Sequence, residues 1–426
     1  MKQLSYGSRG PAVEFLQLAL NRAGCGPIST DGIFGGATLN AVKKVQKNFS
    51  LPQDGIAGAR TQQALRPYYT GYLSHVITRG DTLYSVAKFY GTTLHRVEIA
   101  NPYVNPLDLR IGALITVPLD FPVVPTGIHW SSEVVDCVTD GLSARYPFFR
   151  RRIAGRSAMG KPLYAMTMGA GSRNLLYCAT HHANEWITTP LLLKFGEELA
   201  EAYAHEQAIA GIPAGDLLTK CHLMLVPCVN PDGMDLVTGF LAEGPMLERT
   251  KNMAADYPDI PYPEGWKANI RGVDLNLQYP ASWQEAREQK FAHGYISPAP
   301  RDYVGKAPLT EPEARTMVRL TQLLSPDRIL AYHTQGRVIY PRYLQFDPTG
   351  SAALAAKLGQ VSGYAVEDTP MASAYAGYKD WFIKQYNRPG YTIEAGQGVN
   401  PLPISDFDDI YTHNLPILVQ TMHFDA

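Results

Sequence analysis

Cys178-Ala-Thr-His-His-Ala-Asn-Glu-Trp-Ile-Thr188 decides how this chain reads. It follows Leu175-Leu-Tyr177, an apolar run that predicts a buried strand. It precedes Pro190-Leu-Leu-Leu-Lys-Phe195, which opens a helix. His182 and Glu185 therefore form an H-x-x-E pair at a strand-to-helix junction. An imidazole nitrogen and a carboxylate oxygen held this way suit zinc, which takes N and O donors tetrahedrally. The pair alone is weak, because a polar loop capping a helix can carry the same letters. His181 has the wrong spacing to Glu185 and reads as an ordinary core or surface histidine.

Working outward, later segments supply partners for that pair. Ile329-Leu-Ala-Tyr-His333 is an apolar strand delivering a histidine at its end, and Gly390-Tyr-Thr-Ile-Glu394 delivers a glutamate in the same way. Between them, Trp266-Lys-Ala-Asn-Ile-Arg-Gly-Val-Asp-Leu-Asn276 concentrates polar and charged residues. Strands alternating with helical stretches predict an α/β sheet, in which sites gather at strand ends.

The amino-terminal region is organised differently. Asp31-Gly-Ile-Phe-Gly-Gly-Ala-Thr38 recurs as Asp54-Gly-Ile-Ala-Gly-Ala-Arg-Thr61, each copy running into an amphipathic pattern. Residues 1–68 resemble the three-helix peptidoglycan-binding domain of bacterial wall hydrolases. Next, His75-Val-Ile-Thr-Arg-Gly-Asp-Thr-Leu83, Ala100-Asn-Pro102 and Ile115-Thr-Val-Pro118 set two short β-rich runs around two helical ones. Asp81 or Thr82 caps the first helix and Gly91 ends it. Residues 73–119 resemble a LysM domain, a β-α-α-β module that grips N-acetylglucosamine chains. Pro122 and Pro125 stiffen the linker that follows.

Composition narrows the classes of partner. The chain has 426 residues, 38 Lys+Arg against 39 Asp+Glu, and a formal net charge of −1. That balance gives no bulk electrostatic case for nucleic acid or an acidic membrane. No apolar run approaches the ~20 residues of a membrane span. The opening Met1-Lys-Gln-Leu-Ser-Tyr-Gly7 lacks the apolar core of a secretory signal. Five cysteines without C-x-x-C spacing read as buried thiols.

Residues 127–426 together resemble the zinc carboxypeptidase, or carboxypeptidase A-like, family. The resemblance implies a mixed sheet flanked by helices. It makes His182, Glu185 and His333 the ligands of one zinc per chain, with a fourth position left for water. Glu394 falls on the general base and Asp274 on the carboxylate that orients a ligand imidazole. Lys267 aligns best with the oxyanion-stabilising arginine, and Arg271 is its rival. Asn276 falls on a substrate-binding asparagine, and Tyr375 or Tyr378 on the mobile capping tyrosine.

One departure bears on specificity. The family's digestive members follow that asparagine with an arginine that clamps the substrate's terminal carboxylate. Here the residue is Leu277, which can make no charge-assisted contact. The architecture is similar to the γ-D-glutamyl-L-diamino acid endopeptidases of spore-forming bacilli. That implies peptidoglycan stem peptides as substrate, cleaved before meso-diaminopimelate or lysine, with glycan strands bound by the amino-terminal modules. It also implies action at the cell wall or forespore surface after synthesis in the cytoplasm. The alternatives are a carboxypeptidase clamped by Arg337 or Arg342, a small-substrate amidohydrolase of the same fold, and a non-catalytic wall or spore anchor.

Overall fold

A strand covered on both faces must be apolar throughout, and Leu175-Leu-Tyr-Cys-Ala179 meets that demand with all five residues fully buried. Ile329-Leu-Ala-Tyr332 does the same before the polar His333 that ends the strand. These two runs pair in parallel, Leu176 opposite Ile329 and Ala179 opposite Tyr332. The rest of the enzyme-like region is built around them. The computed structural model describes residues 1–425, the side chain of Ala372 excepted. The chain divides into two compact units, the first Met1–His129 with Glu133–Arg150, the second Trp130–Ser132 with the chain from Arg151 onward.

The first unit begins with helices α1 (Pro11–Arg22), α2 (Gly36–Asn48) and α3 (Ala59–Thr70). The sequence repeat has one structural meaning in both copies. Buried Gln17 of α1 donates to Asp31 Oδ1, the Ile33 carbonyl and Thr38 Oγ1, and accepts from the Gly32 amide. Buried Gln46 of α2 repeats the pattern on Asp54, Ile56, Thr61 and Gly55. Gly32 and Gly55 have φ of 71° and 74°, the left-handed turn each copy needs. Strands β1 (Tyr72–Val76) and β2 (Leu114–Pro118) then pair antiparallel around helices α4 (Leu83–Tyr90) and α5 (Leu94–Ala100). Thr82, not Asp81, caps α4 by accepting from the Ser85 amide, and Gly91 ends it at φ 70°. Asp81 instead accepts from the Thr78 amide and hydroxyl. This module has its own core, which includes Ile77, Leu83, Val86, Val97, Ile115 and Val117.

Helix α6 (Ser132–Arg145) packs mainly within the first unit. Arg145 donates to the Gly71 carbonyl at 3.0 Å, and Arg66 pairs with Asp140 at 2.9 Å. A Cβ at Gly141 would meet the Thr70 carbonyl oxygen at 1.8 Å, so only glycine allows this approach.

The second unit holds one mixed sheet. Its strands are β3 (Arg150–Arg156), β4 (Pro162–Met168), β5 (Arg173–Ala179), β8 (Cys221–Val226), β9 (Arg328–His333), β10 (Val338–Tyr340), β11 (Ala365–Val366) and β12 (Gly390–Glu394). A two-residue hairpin, β6 (Ala208–Ile209) with β7 (Ile212–Pro213), stands apart from it. The sheet order is β11-β10-β12-β9-β5-β8-β4-β3. The four central strands, β12, β9, β5 and β8, are parallel, and β10 and β4 join them antiparallel. Helices α7 (Thr188–Ala204), α8 (Ala214–Lys220), α9 (Pro231–Val237), α10 (Pro245–Ala255), α11 (Trp283–Ala292), α12 (Pro312–Leu324), α13 (Ser351–Ser362), α14 (Tyr378–Tyr386) and α15 (Phe407–His423) complete the unit. All five cysteines are buried and unpaired. Among the described residues no helix is long and apolar enough to cross a membrane.

Candidate active site

Parallel strands end together, so loops leaving β5, β9 and β12 at their carboxyl ends converge. Thr180, the first residue beyond β5, takes φ 55°, a left-handed conformation that is strained for a β-branched residue. Neighbouring hydroxyls over-determine it. Thr180 N donates to Thr188 Oγ1 at 3.1 Å, and Thr180 Oγ1 lies 3.0 Å and 2.8 Å from the hydroxyls of Thr188 and Thr189. The chain is thereby turned off the sheet. His182 follows, then a short 3₁₀ turn, Ala183–Glu185.

Asn230, capping α9, ties this turn to the neighbouring loop. Its amide nitrogen donates to the carbonyls of His181 and Ala268, and its Oδ1 accepts from Gly233 N. Ala183 N donates to the Lys267 carbonyl at 3.0 Å. Segment 266–274 is therefore fixed against the H-x-x-E turn. Asn269 braces that segment, accepting from the amides of Arg271 and Val273 and donating to Glu311.

The resulting geometry is close-set. His182 Nδ1 lies 2.9 Å from Glu185 Oε1, His333 Nδ1 lies 2.8 Å from Glu185 Oε2, and the two Nδ1 atoms are 3.2 Å apart. His182 Nε2 donates to Asp274 Oδ1 at 3.2 Å. In neutral His182 that leaves the Nδ1 lone pair facing a carboxylate oxygen, an unfavourable approach unless a cation lies between them. One donor atom from each of His182, Glu185 and His333 falls within a mutual 4.8 Å, and all three residues are buried. Two imidazole nitrogens and one carboxylate form a donor set proper to zinc, leaving a coordination position open.

Electrostatics follow from the crowding. Burial opposes charge on His182, but Glu185 and Asp274 outweigh it and raise the imidazole to about 9, so the pair favours a positive charge at this spot, which a proton or a metal in its place would supply. Burial alone would raise Glu185, yet His182, Lys267 and His333 hold it well below the ordinary range. Lys267 Nζ pairs with Glu185 Oε1 at 3.1 Å. Burial works against its charge, and Glu185 more than compensates, so its pKa is raised. Glu394 lies opposite His333 in the β12–β9 register. Burial pushes its carboxyl up, and Glu185 adds to this against the pull of His333 and Lys267.

A cleft of about 590 Å³ opens here, and His182, Glu185, Lys267, Asn276, His333 and Glu394 all line it. Asp274 stands behind His182 and does not line the cleft, and three other anticipated residues are not brought to the site. Arg271 is half exposed and leans on Glu311 at 3.5 Å. Tyr378 is fully buried: its hydroxyl bonds Thr321 Oγ1 at 2.7 Å and its ring stacks on His181 at 5.5 Å. Tyr375 packs against the cluster of Leu277, Ala286, Val304 and Ala376. Two of the three therefore sit in apolar surroundings that a mobile cap would have to leave. Arg337 and Arg342, the alternative clamps, pair with Asp409 and Asp368 and do not line the cleft. His181 is a core residue, bonded to the Tyr279 hydroxyl at 3.0 Å, and burial lowers its pKa. Sequence reasoning missed Arg301, Lys379 and Asp380 on the cleft wall. No motif surrounds Arg301, and only the fold brings it there.

The zinc carboxypeptidase family profile matches residues 136–416. The chain belongs to the zinc carboxypeptidase family. A putative peptidoglycan binding domain profile matches residues 9–65, and a LysM domain profile matches residues 75–118. As a zinc carboxypeptidase the chain is 43% identical over 284 residues to gamma-D-glutamyl-L-diamino acid endopeptidase 1 of Lysinibacillus sphaericus, covering 66% of this chain and 69% of that one. It is 38% identical over 389 residues to the uncharacterised protein YqgT of Bacillus subtilis (strain 168), covering 90% of this chain and 96% of that one. In fold it is similar to the carboxypeptidase A of Helicoverpa armigera, with a TM-score of 0.52 at 16% identity, covering 89% of this chain and 84% of that one.

Proposed function

We propose that this zinc carboxypeptidase is an endopeptidase of peptidoglycan stem peptides, cleaving the amide between γ-D-glutamate and the L-diamino acid, meso-diaminopimelate or lysine. The observation that carries the reading is position 277. Leu277 is 8% exposed and packs into an apolar cluster, so the side chain after Asn276 offers no cation to a substrate's terminal carboxylate. A bond followed by further residues needs no such clamp. The relation to the Lysinibacillus endopeptidase and the two amino-terminal wall modules support the same substrate. We divide the chain into a peptidoglycan-binding domain at residues 1–68, a LysM domain at 73–119 and a peptidase domain at 127–426, and assign glycan-strand binding at the wall to the first two.

In this reading His182, Glu185 and His333 would hold one zinc per chain. When bound, it would supply a Lewis acid able to polarise a carbonyl and acidify a water. Asp274 holds His182 in the tautomer that presents Nδ1. Glu394 accepts the proton of the attacking water and passes it to the leaving amine. Lys267, with Glu185 as counter-ion, carries positive charge on the wall where the oxyanion forms. Neither Tyr375 nor Tyr378 enters this scheme.

Mass spectrometry of products from defined muropeptides tests it. The expected products are a fragment ending in D-glutamate and one beginning with the free diamino acid. Stems whose terminal carboxyl is amidated should be cleaved as well as the free acids. Release of only the C-terminal residue, abolished by amidation, would make the protein a carboxypeptidase instead.

A further inference from the structure

Three cations line the cleft: Lys267, Lys379 and Arg301. Lys267 is committed to Glu185. Lys379 is committed too: its Nζ donates to the Arg342 carbonyl at 2.6 Å and Thr369 Oγ1 at 3.1 Å, and its charge is paired with Asp380 Oδ1 at 2.7 Å. Arg301 differs. Its Nε donates to Asp302 Oδ2 at 2.7 Å, and neither terminal nitrogen has a hydrogen-bond acceptor among the described residues. Asp302 is also shared with Lys290 at 2.6 Å, so one carboxylate faces two positive charges. A guanidinium fixed along one edge presents the two remaining nitrogens as a fork, the geometry that binds a carboxylate bidentately.

The backbone around Arg301 is fixed to the catalytic wall on both sides. The Pro300 carbonyl accepts from Lys267 N at 2.8 Å and Ala268 N at 2.9 Å. Asp302 N donates to Asp274 Oδ2 at 3.2 Å, and Asp274 N donates to the Tyr303 carbonyl at 2.9 Å. Arg301 is thus carried between the segment that holds Lys267 and the carboxylate that orients His182, on the wall of the same cleft.

A γ-glutamyl bond has a chemical mark that an ordinary peptide bond lacks. The acyl residue keeps a free α-carboxylate, separated from the scissile carbonyl by two methylenes and the α-carbon. We propose that Arg301 is the specificity-determining residue for the acyl side, binding the free α-carboxylate of the γ-linked glutamate. The proposal rests on the endopeptidase reading above and deepens it. It explains how a cleft without an arginine at position 277 still selects an acidic stem. The charge is read on the residue before the cut, not on the chain terminus after it.

The test uses the full-length, zinc-loaded protein and two stem peptides, L-Ala-γ-D-Glu-L-Lys-D-Ala and its D-isoglutamine counterpart, in which the α-carboxylate is a carboxamide. Wild type should favour the acid, chiefly through KM. Arg301→Gln should lower kcat/KM on the acid by about 10- to 100-fold, the range of one lost charge-assisted contact. It should leave the carboxamide peptide nearly unchanged. Arg301→Lys should restore part of the preference, because charge returns without the fork. Equal wild-type turnover of the two peptides would overturn the proposal while leaving the endopeptidase reading intact. So would a Gln variant that loses equally on both, which is the mark of a role in the oxyanion or in folding. Cleavage of neither peptide at the γ-glutamyl bond, with zinc bound, would overturn both.

Discussion

Glu394 and His333 stand side by side at the ends of parallel strands, and only one of them has a nitrogen to give a metal. In the proposed mechanism the carboxylate moves protons and the imidazole holds zinc, so the two should separate experimentally. Glu394→Gln keeps size and polarity but cannot accept a proton. Turnover should fall by about 10²- to 10⁴-fold or more, while zinc content and stem-peptide affinity stay near wild type. All three are measurable on one preparation. Activity surviving within a few-fold would remove Glu394 from the mechanism, and loss of zinc with it would make Glu394 a ligand.

At the scale of elements, the hairpin turn Ser157–Lys161 between β3 and β4 is held by two carboxylates from separate helices. Glu313 of α12 accepts from Ala158 N at 2.7 Å, and Asp232 of α9 accepts from Met159 N at 2.8 Å. Lys161 answers Asp235 at 2.7 Å and Asp232 at 3.5 Å. Glu313 is fully buried and its Oε2 has no partner. Burial therefore raises its pKa from 4.5 to about 7, with Asp232 and Glu311 adding to the shift against the Ala158 amide. Below pH 4.5 the carboxyl is protonated in both folded and unfolded chains and has no linkage effect. Between 4.5 and about 7 the unfolded chain releases the proton while the folded one keeps it, so stability falls as pH rises; above about 7 the full penalty stands. A shift of this size corresponds to about 3 kcal/mol. Glu313→Gln should remove that slope. Urea midpoints of wild type and variant should diverge across this window, the variant gaining with pH, and parallel profiles would show that Glu313 ionises alike in the folded and unfolded chains.

The same scale explains what could be read beforehand. His333 and Glu394 were legible because each closes an apolar strand, and strand ends in a parallel sheet meet. The D-G-I repeat was legible as a turn, but the buried glutamines that bind it, Gln17 and Gln46, lie a helix away and carry no spacing signal. Tyr378 and Arg301 mark the limit. Whether a polar side chain faces the cleft or the core depends on helix rotation and loop course, and these are set by long-range contacts such as Asn276 Oδ1 accepting from Tyr378 N.

Across the whole molecule, the wall-binding and peptide-cutting roles are proposed to be carried by different parts, and the packing decides how that is best tested. Helix α6 lies within the family match yet mainly within the first compact unit, held by Gly71 and Arg66. Cutting the chain near Pro122 would strip α6 of these partners, so loss of activity after truncation would not separate substrate recruitment from folding. The LysM module offers a cleaner lesion because it has a core of its own. Val97 is completely buried there, and Val97→Asp places an unpaired carboxylate among apolar side chains, a change large enough to unfold so small a core. In the full-length protein this variant should bind intact sacculi several-fold more weakly. It should also retain its zinc and cleave a soluble stem peptide within about twofold of wild type, since no residue of the proposed chemistry is altered. A parallel fall in soluble-peptide turnover, with zinc retained, would mean that the module acts on the chemistry itself and is more than an anchor.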